Sequence, residues 1–231
     1  MEKYYLITGA SSGIGYKTAE HLAENEANVI VVARTESSLR ELEDKYPEQI
    51  KALALDITDE NSVNEIKKHL SSKGIKLDGI VHNAGLLIAK PFAELTNEDW
   101  KNQIDVNLLA PVSVTRNLLG HLNENAHILN ISSMGGFMGS SKFPGLSAYS
   151  ASKGALSILT ECLTVELADQ NIKCNCLCLG AVQTEMLETA FPGMQAPVSA
   201  DDMGSYVADF LMNGHKFYNG KILPVALADP A

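Results

Sequence analysis

Apolar positions along the chain follow two alternating periods. Short β-branched runs at residues 4–8, 28–33, 51–55, 79–82, 127–132, 173–179 and 221–225 read as strands. The longer stretches between them space their apolar residues three and four apart, as one face of a helix requires, and predict helices over 14–25, 36–45, 59–72, 105–122, 148–169 and 200–213. In "DITDENSVNEIKKHL" the signature is complete: Thr58 or Asp59 stands at the cap, and Val63, Ile66 and Leu70 share one face. Strands alternating with helices imply right-handed crossovers and a parallel sheet covered on both faces. No Pro-rich or Ser-rich linker and no repeat interrupts the pattern, so residues 1–231 are expected to form one doubly wound α/β domain.

Composition narrows the class. The 231 residues are 45% hydrophobic and 20% charged, as in an ordinary globular protein with a sizeable core. A formal net charge of -10 with scattered basic residues argues against nucleic acid or an anionic membrane surface as partner. No run approaches the roughly 20 apolar residues of a membrane span, and the N-terminus lacks a basic segment and cleavage site, so a cytoplasmic protein is expected. Cys174, Cys176 and Cys178 alternate along one strand and Cys162 is isolated. They are expected to be reduced, three of them buried, and no histidine cluster completes a metal site. The acceptor-like triplet Asn130-Ile131-Ser132 lies in an apolar run and is discounted as a glycosylation site.

The first predicted strand runs directly into "TGASSGIG", Thr8 to Gly15, and then into a helix. A helix N-terminus presents unpaired N–H groups and partial positive charge, which suits a pyrophosphate. Gly9 permits the tight turn, and Gly13 and Gly15 would let backbone and ligand approach closely. The spacing is G-x-x-x-G-x-G rather than the usual dinucleotide fingerprint. Together with "HNAG" at 82–85, "NISS" at 130–133 and "YSASK" at 149–153, the chain resembles the short-chain dehydrogenase/reductase family over essentially its whole length. The resemblance implies a Rossmann-type sheet of about seven parallel strands flanked by helices, with a nicotinamide dinucleotide across the carboxyl ends.

By the same resemblance Gly9, Ser11, Ser12, Gly13, Ile14 and Gly15 cradle the cofactor. Asp56 and Ile57 meet the adenine, Asn83, Ala84 and Gly85 flank the adenosine ribose, and Val182 and Thr184 contact the nicotinamide carboxamide. At the end of the second strand stands Arg34, where an acidic residue would select NAD. A guanidinium can clamp a phosphate with two parallel hydrogen bonds, so NADP(H) is expected over NAD(H). Ser12 stands where NADP(H)-preferring members often carry a second basic residue.

The implied catalytic set is Asn107, Ser133, Tyr149 and Lys153. Tyr149 and Lys153 are four apart and so share a helical face. A tyrosine pKa of about 10 is high for proton exchange at neutral pH, and an ammonium beside it is expected to lower it. In the family the lysine also grips the nicotinamide ribose, Tyr149 donates a proton to the carbonyl oxygen as NADPH delivers hydride, Ser133 orients the substrate oxygen, and Asn107 holds a water leading protons to solvent.

The chain departs from the family in several places. Ser133 and Tyr149 are separated by a longer stretch than the family has, "GGFMGSSKFPGLSAY" carrying the extra residues; Gly136 stands at the usual serine spacing, and Ser132 is the fallback. Met134, Phe137, Met138 and Phe143 of this loop are expected to form an apolar substrate wall or an interface. Leu179-Gly180 replaces the family's Pro-Gly, a short lid "EMLETAFPGMQAPV" offers Leu187, Phe191 and Met194 with Pro192-Gly193 as a hinge, and the tail "KILPVALADPA" lacks the common glycine pair. The leading expectation is an NADPH-dependent carbonyl reductase. A 3-oxoacyl-carrier-protein reductase is the alternative, disfavoured because the rim offers only Lys142 against Glu185 and Glu188. A non-catalytic NADP-binding redox sensor is a further alternative. Helices 105–122 and 148–169 correspond to those through which family members form homodimers or homotetramers.

Overall fold

Parallel pairing orders seven strands as β3-β2-β1-β4-β5-β6-β9: β1 Tyr4–Thr8, β2 Asn28–Ala33, β3 Ile50–Ala54, β4 Leu77–His82, β5 Leu122–Ser133, β6 Lys173–Leu179 and β9 Ile222–Val225. The computed structural model describes residues 2–227, so the end of the tail at 228–231 lies outside the described residues. Alternation along each strand feeds two apolar layers. Tyr5, Ile7, Val29 and Val31 pack on α1 (Gly13–Glu24), α2 (Glu36–Lys45) and α8 (Ala200–Asn213), while Leu6, Ile30 and Val32 join the layer of α3 (Glu60–Lys73) and α5 (Ala110–Leu118). Strand order reverses between β1 and β4, which opens a crevice at the carboxyl ends of these strands.

The α3 segment behaves as its pattern predicts. Asp59 caps it by accepting from the Asn61 amide at 2.9 Å, Val63, Ile66 and Leu70 are buried, and Gly74 ends it in the left-handed conformation.

Three departures from the pattern have local causes. The helix expected to begin at 105 begins at Asn97 instead. Thr96 and Asp99 form a reciprocal capping box for α4 (Asn97–Ile104), and the helical path continues through a π-helical turn at Asp105–Leu109 into α5. That path also ends before 122: Leu119–His121 is a 3₁₀ turn and Leu122 already pairs with Leu77. β5 therefore starts earlier than expected and absorbs an irregularity between Leu122 and His127, where Asn125 takes a positive φ. Finally, the region after β6 is not bare loop. β7 (Val182–Gln183) pairs in parallel with β8 (Val198–Ser199), and α7 (Glu185–Ala190) lies between them. The lid thus leaves and returns through one two-stranded clip. Among the described residues no helix is long and apolar enough to cross a membrane.

Two histidines are sealed inside. His82 meets the Thr115 hydroxyl at 2.8 Å, and burial pushes its pKa down to about 3. His127 uses Nδ1 on the Leu211 carbonyl (3.0 Å) and Nε2 on the Asn175 amide (3.0 Å), and burial lowers it to about 4. The unfolded value of 6.5 lies above both, so the unfolded chain takes up protons first as pH falls. Stability is full above pH 6.5 and is lost as pH falls, down to about 4 for His127 and about 3 for His82, each histidine contributing a slope of up to about 1.4 kcal/mol per pH unit. Urea midpoints measured from pH 7 to 4.5 should fall, and His127→Asn, though less stable at pH 7, should fall less steeply. An unchanged slope in the variant would refute the assignment.

Candidate active site

Two glycines fix the base of the crevice. Gly9 has φ +69, and a Cβ there would lie 2.6 Å from the Ala84 Cα. A Cβ on Gly15 would meet Asn83 Nδ2 at 2.3 Å. Gly15 therefore makes room for the protein's own Asn83, and not for a ligand as its place in the loop suggests. Asn83 donates to the Thr8 and Gly9 carbonyls at 3.2 and 2.9 Å, and the Ala84 amide donates to Thr8 Oγ1 at 3.2 Å, so the end of β4 is tied to the loop after β1.

Above this tie opens a cavity of about 920 Å³. Gly9, Ser11, Ser12, Gly13, Ile14, Arg34, Asp56, Ile57, Asn83, Ala84, Gly85, Ser133, Tyr149, Lys153, Val182 and Thr184 all line it. Of the expected catalytic and cofactor-binding residues, Gly15 and Asn107 alone stand behind the wall. Ser12 occupies the N-cap position of α1, yet its side chain accepts nothing from the first turn, which leaves that turn's N–H groups directed at the cavity. Arg34 is exposed at its edge. Asp56 accepts from the Thr58 amide (2.9 Å) and hydroxyl (2.7 Å), both on Oδ1. Burial alone would raise this carboxyl, but the Thr58 bonds and Arg34 hold it below the usual carboxylate value.

The side of the cavity that carries the expected catalytic residues is built by docking α6 (Ser147–Glu166) on the end of β5. Ser132 Oγ donates to the Lys153 carbonyl at 2.9 Å and is buried, so this hydroxyl is committed to the helix backbone. Ser133 is half-buried, accepts from the Gly135 amide at 3.1 Å and faces the Tyr149 phenol. Ser133 rather than Ser132 therefore offers a hydroxyl to a substrate. Gly136, at the family's serine spacing, is pressed on α6: a Cβ there would lie 2.6 Å from the Gly154 nitrogen and the Lys153 carbonyl carbon. A serine would not fit.

Tyr149 and Lys153 are both buried, and Lys153 Nζ lies 5.9 Å from the phenol ring centroid. The expected lowering of the phenol is not what this geometry produces. Burial pushes Tyr149 up to about 12, a rise that Ser133 only partly offsets. Burial likewise pulls Lys153 down to about 8, against the upward pull of the Cys176 and Cys178 thiols. The ammonium points to the Ile131 carbonyl (2.8 Å) rather than to the phenol oxygen. Desolvation outweighs the pair's attraction, and the phenol keeps its proton at neutral pH. A lysine ammonium has three N–H donors, and Nζ has the Ile131 carbonyl as its protein hydrogen-bond partner. A buried group with spare donors at the cavity floor fits a ligand bearing hydroxyls.

Asn107 lies in the π turn, fully buried. Its Oδ1 accepts from the Leu86 amide (2.8 Å), and Nδ2 donates to the Leu86 carbonyl and Ser152 Oγ (both 2.9 Å). The side chain is spent on protein, so a water held by this residue would rest on its backbone carbonyl.

The apolar loop divides. Met134 and Phe143 line the cavity, whereas Phe137 and Met138 line a separate groove beside it, with Met138 86% exposed. The lid is nearer than its sequence suggests: Thr184 caps α7, accepting from the Leu187 amide at 3.3 Å, and α7 brings Met186, Leu187 and Phe191 to the mouth. The apolar pattern predicts no helix at α4 or α7, although Thr96 followed three residues later by Asp99 is a helix-start signal for the first. All four cysteines are free, Cys162 exposed and the others buried, and the described residues hold no cluster of metal-ligating side chains.

Comparison with known proteins gives the same picture. The oxidoreductase BOA17 of Botryotinia fuckeliana is 32% identical over 213 residues, 91% of this chain and 76% of its own. The 3-ketoacyl-(acyl-carrier-protein) reductase of Brucella melitensis, solved with NADH, superposes with a TM-score of 0.88 at 29% identity, covering 97% of this chain and 96% of its own. ElxO with NADP bound superposes with a TM-score of 0.85 at 31% identity over 98% of each chain. The family model described as short chain dehydrogenase matches residues 3–195, the span that carries the glycine loop, the Asn83 tie and the Tyr149–Lys153 helix. On sequence and architecture together, the chain belongs to the short chain dehydrogenase family of oxidoreductases.

Proposed function

We propose that this protein is an NADP(H)-dependent carbonyl reductase that uses Tyr149 as its proton donor. The observation that carries the reading is the buried phenol of Tyr149, faced by the Ser133 hydroxyl at the cavity that Lys153 and the uncapped N-terminus of α1 also border. The bound dinucleotide supplies the hydride. Gly9, Ser11, Ser12, Gly13 and Ile14 present backbone and hydroxyl donors to its phosphates, Asp56 and Ile57 border the adenine end, and Asn83, Ala84 and Gly85 border the adenosine ribose. Val182 and Thr184 line the nicotinamide end, and Lys153 offers its spare donors to ribose hydroxyls. Ser133 and Tyr149 donate to the substrate oxygen, and Tyr149 releases its proton as charge develops there.

Arg34 supports the phosphate-bearing cofactor. It stands exposed at the end of β2, close enough to Asp56 to lower that carboxyl, and makes no protein salt bridge among the described residues. One structural relative carries NADH and another NADP, so this preference rests on Arg34 and not on kinship. Carrier-protein substrates are the second reading, favoured by the likeness to the Brucella reductase. Against it, Lys142, the one basic residue of the rim, is turned onto the Phe137 carbonyl (2.6 Å) and Ser140 (2.7 Å) of its own loop. A sensor role is disfavoured because Tyr149 and Lys153 are both present and placed on one cavity. We also propose a cytoplasmic homodimer or homotetramer, formed through the faces on which Leu109, Ile158 and Val165 stand 49%, 54% and 77% exposed.

NADPH absorbance followed against ketones, aldehydes, quinones and 3-oxoacyl thioesters tests the reaction. Turnover is expected with NADPH, and Tyr149→Phe should lose about 10²- to 10⁴-fold in kcat while still binding NADPH. Full activity in that variant would exclude the mechanism. Ser133→Ala should lose about 10²-fold in kcat. Ser132→Ala should instead lose about 1 kcal/mol of stability and little kcat, and the opposite ranking would reassign the hydroxyl. Arg34→Ala should weaken NADPH about ten- to hundredfold in Kd with a smaller effect on NADH. Equal losses for both cofactors would remove the phosphate role.

A further inference from the structure

The long loop between Ser133 and Tyr149 and the clipped lid meet at one point. Phe143 and Phe191 have ring centroids 6.0 Å apart at an interplanar angle of 56°, both line the cavity, and both are half-buried. Neither ring is free to wander. The Phe143 loop is held by the Lys90 amide donating to the Gly145 carbonyl (3.1 Å) and closes through the Leu146 amide on the Phe143 carbonyl (3.4 Å). Phe191 follows α7 directly, its amide on the Leu187 carbonyl at 2.8 Å, and the lid is closed at its base by Val182↔Val198 and Gln183↔Ser199. Gly193, φ +81, donates to Glu188 at 3.0 Å and turns the chain back.

Chemistry on this side of the cavity is uniform. Met134, Leu146, Met186 and Met194 line it beside the two rings, and thioethers pack readily against aromatic groups. The cavity's charged lining residues are Arg34, Asp56, Asp105, Lys153 and Glu185. Arg34 and Asp56 stand at the ends of β2 and β3, toward the adenosine, Asp105 is paired with Lys101, and Lys153 lies buried beneath Tyr149. The remaining one, Glu185, is acidic. Lys142, beside Phe143 on the rim, is turned onto the Phe137 carbonyl and Ser140, so no lining residue of this side offers a cation to a carboxylate or phosphate on the substrate.

We propose that Phe143 and Phe191 form an aromatic gate across the substrate mouth, selecting a neutral carbonyl compound with an aryl body. The proposal rests on the reductase reading and adds the substrate class. A ring entering between the lid and the loop covers the apolar surface that both phenylalanines leave open, and adds a third member to a pair already in tilted contact. A substrate carboxylate would meet Glu185 and lose its hydration without a partner.

The test compares acetophenone, 4-acetylbenzoate and butan-2-one as substrates with NADPH, in the natural protein and in Phe143→Ala, Phe191→Ala and the double variant. Acetophenone should exceed 4-acetylbenzoate in kcat/KM by at least about tenfold. Each single variant should lower the acetophenone-to-butan-2-one selectivity about threefold to tenfold, chiefly through KM. The double variant should lose less than the product of the two, because the rings act as a unit. Multiplicative losses, unchanged selectivity, or preference for 4-acetylbenzoate would overturn the gate. Calorimetric binding of acetophenone to the NADPH complex of Tyr149→Phe separates the two readings. Selective binding that weakens with Phe191→Ala, without turnover in the natural protein, would keep the gate and defeat the reductase. Turnover without ring-dependent binding would do the reverse.

Discussion

The site depends on a seam where the α6 backbone closes on the end of β5. Three contacts hold it: Lys153 Nζ on the Ile131 carbonyl, Ser132 Oγ on the Lys153 carbonyl, and Gly136 flat against Lys153 and Gly154. A side chain at Gly136 would push the helix outward, and Tyr149, one turn before Lys153, would leave Ser133 with it. The placement of Ser133, Tyr149 and Lys153 is thus set by backbone approach, and their side chains are carried along. The Asn83 tie does the same on the other flank, fixing the glycine loop to β4 at the reversal of strand order.

Closing the seam so tightly has an electrostatic consequence. Tyr149 and Lys153 are both dry, and each is driven toward its neutral form, the phenol up and the ammonium down. Proximity on one helical face was expected to activate the tyrosine, but proximity without solvation first penalises the charge. Lys153 keeps one carbonyl and spare donors, and that shortage is the feature a hydroxyl-bearing ligand would relieve. The lysine's effect on the phenol is therefore conditional on what fills the cavity floor.

Most of this architecture could be read from the chain because it rests on local patterns. Strand alternation gave the sheet, the Asp59 cap and the Val63, Ile66 and Leu70 face gave α3, and the motif order brought sixteen scattered positions to one cavity. What stayed hidden depended on distant neighbours. Gly15 reads as a ligand contact until Asn83 is found filling its space. The sequence does not show that Leu86 and Ser152 occupy the Asn107 side chain, which leaves its backbone carbonyl as the group that could hold a water. The lid helix is too short for periodicity to reveal, and its closure comes from a clip between residues 182–183 and 198–199.

The long loop shows why spacing along a chain is a poor gauge of distance across it. Extra residues between Ser133 and Tyr149 would spoil the site if they pushed the two apart. They do not, because the segment is anchored twice: at Gly136 against α6, and at Gly145 by the Lys90 amide. Between the anchors the added length goes outward, and Phe137 and Met138 turn to a separate groove. On the way back only Phe143 and Leu146 rejoin the cavity wall. The long segment leaves Ser133 facing the Tyr149 phenol and adds apolar surface to the cavity wall. Ser133 and the Gly136 contact to α6 thus stand on one stretch of the loop, and Phe143 with Leu146 on another, so the position of the hydroxyl does not depend on the apolar wall that the loop adds.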